Sequence, residues 1–293
     1  MKPFLFLLIL TSIRIFAIGQ TQFYVSPSGD DTWPGTITQP WQTIQKACDD
    51  ALPGSTVFIR QGIYKREFSM NVSGSANNEI TFMNYPGETA ILDGDSLSSI
   101  ILYIHNRSYI KLQGLVFRNA IGNNSEGIEI SGRAHHIEVS GCTFYNIHFS
   151  SDSTAVAGPN KNANPLIVYG NFNPDSIYEI RITGNEVYNC RTGYSEAISL
   201  DGNISNFEIK NNYVHHISNI GICVVGGYNV CQDSGLDFAR YGVIAGNLVT
   251  YCYSPYAEAA GIYSDGSRYN LIERNISHHN QYGFELGCEK KNK

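Results

Sequence analysis

Apolar and polar residues alternate in short runs through most of this chain, and the runs repeat. Two copies are Ile110-Lys111-Leu112-Gln113-Gly114-Leu115-Val116-Phe117 and Ile137-Glu138-Val139-Ser140-Gly141-Cys142-Thr143-Phe144. Two more are Ile180-Arg181-Ile182-Thr183-Gly184-Asn185-Glu186-Val187 and Phe207-Glu208-Ile209-Lys210-Asn211-Asn212-Tyr213-Val214. Shorter copies follow around Ile244 and Ile272. Each reads as a short strand, a Gly or Asn corner, and a second short strand. A period of two puts Leu112, Val139, Ile182, Ile209, Ile244 and Ile272 at one stacked interior position. The copies are offset by 27, 43, 27, 35 and 28 residues. The shorter offsets suit one coil of a solenoid, and the longer ones suit coils carrying loop insertions. The corners need a positive φ or a side chain that bonds its own backbone, hence Gly and Asn. Asn185, Asn212, Asn247 and Asn275 then form a ladder, read as corner stacking rather than catalysis. Cys190 and Cys252 fall in register with Ala120, Ile147 and Ile217, which makes them buried structural thiols.

A second strand recurs as Gly127-Ile128-Glu129-Ile130-Ser131-Gly132, Ala197-Ile198-Ser199-Leu200-Asp201-Gly202 and Gly221-Ile222-Cys223-Val224-Val225-Gly226. It returns as Gly261-Ile262-Tyr263-Ser264-Asp265-Gly266 and Gly283-Phe284-Glu285-Leu286-Gly287. Ile128, Ile198, Ile222, Ile262 and Phe284 are expected to point inward. The residues between them form a long outward face. Near the N-terminus, Trp41, Ile44, Ala47, Cys48 and Leu52 have helical spacing, and Pro53-Gly54 ends the run. A helix over residues 41–52, followed by the strand Thr56-Val57-Phe58-Ile59, would cap the open end of a solenoid.

Composition agrees with strands and turns. Charged residues are only 16% of the chain, and Asn, Ser, Thr, Gly and Tyr supply most of the polarity. The net charge of −6 gives a nucleic-acid partner no electrostatic support. It also opposes an acidic polysaccharide unless a basic patch or a cation intervenes. At the N-terminus, Lys2, the apolar residues 4–10 and the small residues around Ala17 and Gly19 read as a signal peptide over residues 1–19. The apolar run is short for a membrane span, and Arg14 interrupts the stretch that follows. A secreted, periplasmic or cell-surface protein with no membrane span is expected. The seven Cys residues show no metal-type spacing. Cys223 and Cys231 flank a Gly-rich loop that a disulfide could close.

The opening of the chain carries a resemblance. Tyr24-Val25-Ser26-Pro27-Ser28-Gly29, Pro40-Trp41-Gln42-Thr43-Ile44, Gly62-Ile63-Tyr64, Ile80-Thr81-Phe82, Pro86-Gly87-Glu88 and Ile91-Leu92-Asp93-Gly94 resemble the start of the pectin-lyase-like β-helix superfamily. The resemblance implies an all-β, right-handed parallel β-helix with an N-terminal capping helix. The expected layout is a signal peptide at 1–19, a cap and first coils at 20–107, and further coils at 108–293. Only residues 288–293 follow the last recognisable strand, so a longer solenoid, or an end closed by association, is expected. The superfamily contains lyases, hydrolases, epimerases and adhesins, so fold does not choose the reaction.

The chemistry is expected on the outward face. Asp201 and Asp265 share one outward position, with Val225 between them. Glu129 and Glu285 share another with Ser199, Cys223 and Tyr263. Glu285 lies one coil past Asp265 and two residues offset, which puts their Cα atoms about 8 Å apart. That spacing admits a glycosidase pair, one carboxyl protonated and one ionised. The segment ending in Asp265, with Phe284-Glu285 after it, also resembles β-helix glycosidases that carry an Asp on one coil and a Glu on the next. The expected function is therefore glycoside hydrolysis by Asp265 and Glu285. Asp201, Glu258, Tyr263, Arg268 and Tyr228 would bind the polysaccharide or oligosaccharide, and no resident metal is assigned. The alternative is a pectate-type lyase in which Glu258, Asp265, Asp201 and Glu285 hold Ca²⁺ and Lys210, Arg268 or Arg274 is the base. None of these three bases lies in a recognisable lyase signature. A third reading is a non-catalytic glycan-binding or surface protein. The doublets His135-His136, His215-His216 and His278-His279 read as surface corners rather than metal ligands.

Overall fold

The computed structural model describes residues 21–97 and 100–290; the expected signal peptide at residues 1–19 lies outside the described residues. Short parallel strands stack into three sheets, of ten, eight and eight strands among the described residues. The first sheet runs from Gln22–Val25 to Leu271–Glu273. The second runs from Gly62–Lys65 to Ile276–His278, and the third from Phe68–Ser69 to Tyr282–Gly287. Every coil adds one strand to each sheet and moves the chain one strand along the axis. The architecture is a right-handed parallel β-helix. Strands of this length cannot bury an apolar face alone, so the three sheets close around a common core that neighbouring coils extend.

The interior rows follow the two-residue period. Leu112 pairs with Val139, Val139 with Ile182, Ile182 with Ile209, Ile209 with Ile244 and Ile244 with Ile272. In the second sheet Phe117 and Phe144 stack with ring centroids 4.9 Å apart. Cys190, Ile217 and Cys252 occupy one buried row. Burial pushes both thiols up to about 12, so they remain protonated fillers.

The corners show why Gly and Asn recur. Gly184 and Gly246 sit at φ 64 and 67, and Asn211 takes the same left-handed conformation at φ 56. One residue on, the buried Asn side chains bond between coils. Asn212 Oδ1 accepts from both the backbone N and Nδ2 of Asn185, at 3.0 Å each, and Asn212 Nδ2 donates to Ile182 O at 2.9 Å. Asn247 and Asn275 repeat the pattern. The ladder satisfies backbone groups that a corner would otherwise bury unpaired.

Three expectations are corrected. The helix is Ile44–Asp50, not residues 41–52. Asp31 takes hydrogen bonds from Gln42 N, Thr43 N and Thr43 Oγ1, which fixes Thr43 as the N-cap. Trp41 is instead bridged to Val25 and stacked on Phe23 at 4.5 Å. Second, the third sheet contains three strands that the repeats did not show, Phe68–Ser69, Ile100–His105 and Ala163–Gly170. Pro165, which stands opposite Gly127, disguised the last of these, and the long loop at 146–162 before it explains much of the 43-residue offset. Third, Cys223 and Cys231 are free, as are the other five cysteines. Cys231 instead donates its thiol to Phe172 O. No helix among the described residues is long and apolar enough to cross a membrane.

Candidate active site

The third sheet carries the candidate site on its outward face. One outward row runs Glu129, Ile167, Ser199, Cys223, Tyr263, Glu285. In the next row Asp201 pairs with Val225, and the Val224–Ser264 pairing brings Asp265 into line. Two loops wall this face. The first carries Tyr228 and is braced by buried Asp237, which accepts from Asn229 N at 2.7 Å and Cys231 N at 2.9 Å. The second carries Glu258. Its Tyr256 stacks on Tyr194 at 5.4 Å and donates to Ser218 O at 3.1 Å. Between the loops lies a cleft of about 480 Å³, with Glu196, Asp201, Glu258, Asp265 and Glu289 among its lining residues.

Glu196 and Asp201 are the best-developed acid pair. Ser199 Oγ donates to Asp201 Oδ1, and Glu196, just before the same strand, also lines the cleft. Burial first, then the charge of Asp201, pushes Glu196 up to about 8. Burial pushes Asp201 up to about 6, against the pull of Ser199. At neutral pH the favoured state has Glu196 protonated and Asp201 ionised.

The remaining acids are arranged differently. Asp265 is 2% exposed and fully engaged. The Tyr228 hydroxyl donates to its Oδ2, and Glu289 N donates to Oδ1 at 2.9 Å. Tyr263 OH donates to Glu289 Oε1 at 3.2 Å. Two coils from Asp201 toward the N-terminus, Glu126 is pushed up to about 9 by burial and then by its neighbour Glu129. Glu126 Oε2 is buried without a hydrogen-bond partner.

The cleft thus brings together five expected site residues: Asp201, Tyr228, Glu258, Tyr263 and Asp265. Glu285 does not line it. Glu285 pairs in register with Tyr263 on the last strand, while Asp265 pairs with Gly287. Burial, then Glu258, Glu289 and Asp265, raises the Glu285 carboxyl, so it stands close enough to feel the cleft. Arg268 lies in the adjoining cleft with its guanidinium 4.0 Å over the Phe238 ring. Lys210 pairs with Glu208 at 2.8 Å, and Arg274 occupies a left-handed corner at φ 54. Neither residue lines the cleft. Glu196 was missed, although the repeat showed it: Glu126-Gly127-Ile128 and Glu196-Ala197-Ile198 match one residue upstream of the segments compared. The hard oxygen donors of the cleft would suit Ca²⁺. Yet no three His, Cys, Asp or Glu side chains among the described residues converge to hold an ion. Asp201 and Asp265 already accept from protein donors. As placed, these residues do not fit a bound Ca²⁺.

A parallel β-helix with an acidic, loop-walled cleft on one sheet defines the class. The chain belongs to the Pel9A-like right-handed β-helix family, whose description matches residues 23–176. It is 32% identical over 286 residues to the uncharacterized protein YwoF of Bacillus subtilis (strain 168), covering 92% of this chain and 58% of that one. It is 40% identical over 83 residues to the pectate lyase PEL9 of Emericella nidulans, covering 28% of this chain and 20% of that one. The chain therefore spans little more than half of one curated relative and a fifth of the other. Among solved structures, a complex of XylC with xylose superposes with a TM-score of 0.63 at 12% identity. That match covers 87% of this chain and 62% of the other, and it shows the shared fold alone.

Proposed function

We propose that this protein is an exported glycoside hydrolase that cleaves a polysaccharide or oligosaccharide in the cleft between the Tyr228 and Glu258 loops. The observation that carries the reading is that Glu196 and Asp201 line one cleft, Asp201 accepting from Ser199 Oγ, with burial raising Glu196 further than Asp201. Glu196 donates its proton to the glycosidic oxygen as the bond to the anomeric carbon breaks. Asp201 takes a proton from the water whose oxygen bonds to that carbon, or attacks the carbon directly before water releases the sugar. Asp265, set by Tyr228 and Glu289, supports developing positive charge on the ring. Tyr194 and Tyr263 offer ring faces and edges against which sugars pack. Export rests on the signal-like residues 1–19.

A lyase reading is favoured by one observation, the pectate lyase among the relatives. Against it, no Lys, Arg or His among the described residues lines the cleft, and elimination next to a uronate needs a base and a counter-charge. The deciding experiment is digestion of a polysaccharide panel with and without chelator. New reducing ends without ultraviolet absorbance, lost in Glu196→Gln and Asp201→Asn, support hydrolysis. Chelator-sensitive absorbance of an unsaturated product would replace it with elimination. No new chain ends on any glycan would favour a binding protein.

A further inference from the structure

Three histidine doublets lie outside the cleft, and in each the backbone brings the two rings together. A regular strand sends neighbouring side chains to opposite faces. In the strand Tyr213–Ile217, however, the buried residues Val214 and Ile217 are three apart rather than two. His216 takes a left-handed φ of 56, which places a second outward side chain beside His215. Their Nδ1 atoms then stand 2.8 Å apart. His135–His136 and His278–His279 repeat the contact at 2.9 and 2.6 Å, with φ 53 and 56 at the second histidine.

The doublet at 215–216 has a further feature. Glu186 Oε1 lies 3.3 Å from His215 Nε2. A carboxylate only accepts, so Nε2 carries the proton and His215 Nδ1 presents its lone pair, accepting from Nδ1–H of His216. Metal-binding histidines are backed by carboxylates in this way, which fixes their tautomer and ring orientation. Ring stacking also holds both side chains before any ligand arrives. His215 stacks on Tyr188 at 5.2 Å and on Tyr213 at 4.1 Å, and His216 stacks on Tyr251 at 4.9 Å. His216 is exposed, so the pair is open to solvent.

The separation of the nitrogens selects the ion. With imidazole–metal bonds of about 2.0–2.1 Å, nitrogens 2.8 Å apart subtend about 84–89° at a shared ion. A tetrahedral ion would need them about 3.3–3.4 Å apart. A near-right angle suits the square or tetragonal coordination of Cu²⁺ and Ni²⁺, and Cu²⁺ binds such ligands more tightly. We propose that His215 Nδ1 and His216 Nδ1 chelate a Cu²⁺ ion, with water in its remaining positions. As the ion enters, the bond between the rings is given up. His216 moves its proton from Nδ1 to Nε2 by exchange with water, and both imidazoles stay neutral. The doublet belongs to the second sheet, whereas the cleft stands on the third, so this site is independent of the hydrolase reading.

The test is a Cu²⁺ titration of the whole, tag-free protein, followed by electron paramagnetic resonance and repeated in competition with Zn²⁺. The tightest site should give an axial spectrum split by two nitrogens. His216→Phe keeps a ring for Tyr251 but removes the ligand, and it should lose that spectrum. Glu186→Ala should weaken the site by about tenfold or more. His136→Phe and His279→Phe, made singly, should leave it in place, and melting curves confirm that each variant folds. A wild-type spectrum without two nitrogens, or one that survives His216→Phe, overturns the proposal. Displacement of Cu²⁺ by an equal concentration of Zn²⁺ also overturns it.

Discussion

The Tyr228 hydroxyl donates to Asp265 Oδ2, joining a loop after one coil to the strand of the next. The same hydroxyl lies 3.2 Å from Glu289 Oε2, so a single phenol ties three separate segments together. Burial first, then Asp265 and Glu289, raises the phenol's pKa, and Tyr228 therefore stays a donor at any ordinary pH. Asp265 is held in place by this bond and by Glu289 N.

Tyr228→Phe removes that donor and leaves the buried Asp265 short of one partner. Turnover should fall about tenfold to a hundredfold, and stability by about 1–3 kcal/mol. Steady-state kinetics and urea unfolding would measure the two. An unchanged rate would show that Asp265 does not contribute to the reaction.

The acid pair predicts a bell-shaped rate profile. Asp201 must be ionised, which requires pH above about 6, and Glu196 must be protonated, which requires pH below about 8. Activity should peak between these limits. Glu196→Gln should abolish the alkaline limb and lower the rate by about a hundredfold or more. A profile that stays flat to pH 9 would remove Glu196 from the role of acid.

Stability should fall as pH rises from about 6.5 to about 8. Glu126 and Glu196 have folded values of about 9 and about 8, far above those of free carboxyls. In that interval the folded protein holds protons that the unfolded chain has released, so the slope of unfolding free energy with pH is negative. His135, His148 and His215 are lowered, chiefly by burial, and act with the opposite sign only below the normal histidine range. Melting curves across the interval test the slope, and Glu126→Gln should flatten it. A rising melting temperature would contradict the placement of these carboxyls.

The Asn ladder should be costly to break. Asn212→Ala removes the acceptor for two Asn185 donors and the donor to Ile182 O, all buried. The expected loss is about 2–4 kcal/mol in denaturant unfolding, with little change in rate constants at the cleft. A loss below about 0.5 kcal/mol would mean that the corner relaxes onto other partners.

The sequence by itself determined the solenoid. Inward and outward positions alternate along a strand, and corners demand Gly or Asn, so both signals are local. The rows from Leu112 to Ile272 and from Ile128 to Phe284 could be written down before any coordinates. Phe284 continues its row but is 50% exposed, because no described coil lies beyond it. The outward placement of Asp201 and Asp265 was legible for the same reason. Only the tertiary structure decided which acids work together. Loops carrying Tyr228 and Glu258 close over Asp201 and Asp265, and Glu285 is left outside the lining. Loop paths are set by long-range contacts such as Asp237 with Asn229 and Tyr256 with Ser218, which leave no period in the chain. The protonation difference between Glu196 and Asp201 is likewise a property of burial and neighbours, and these exist only once the coils have stacked.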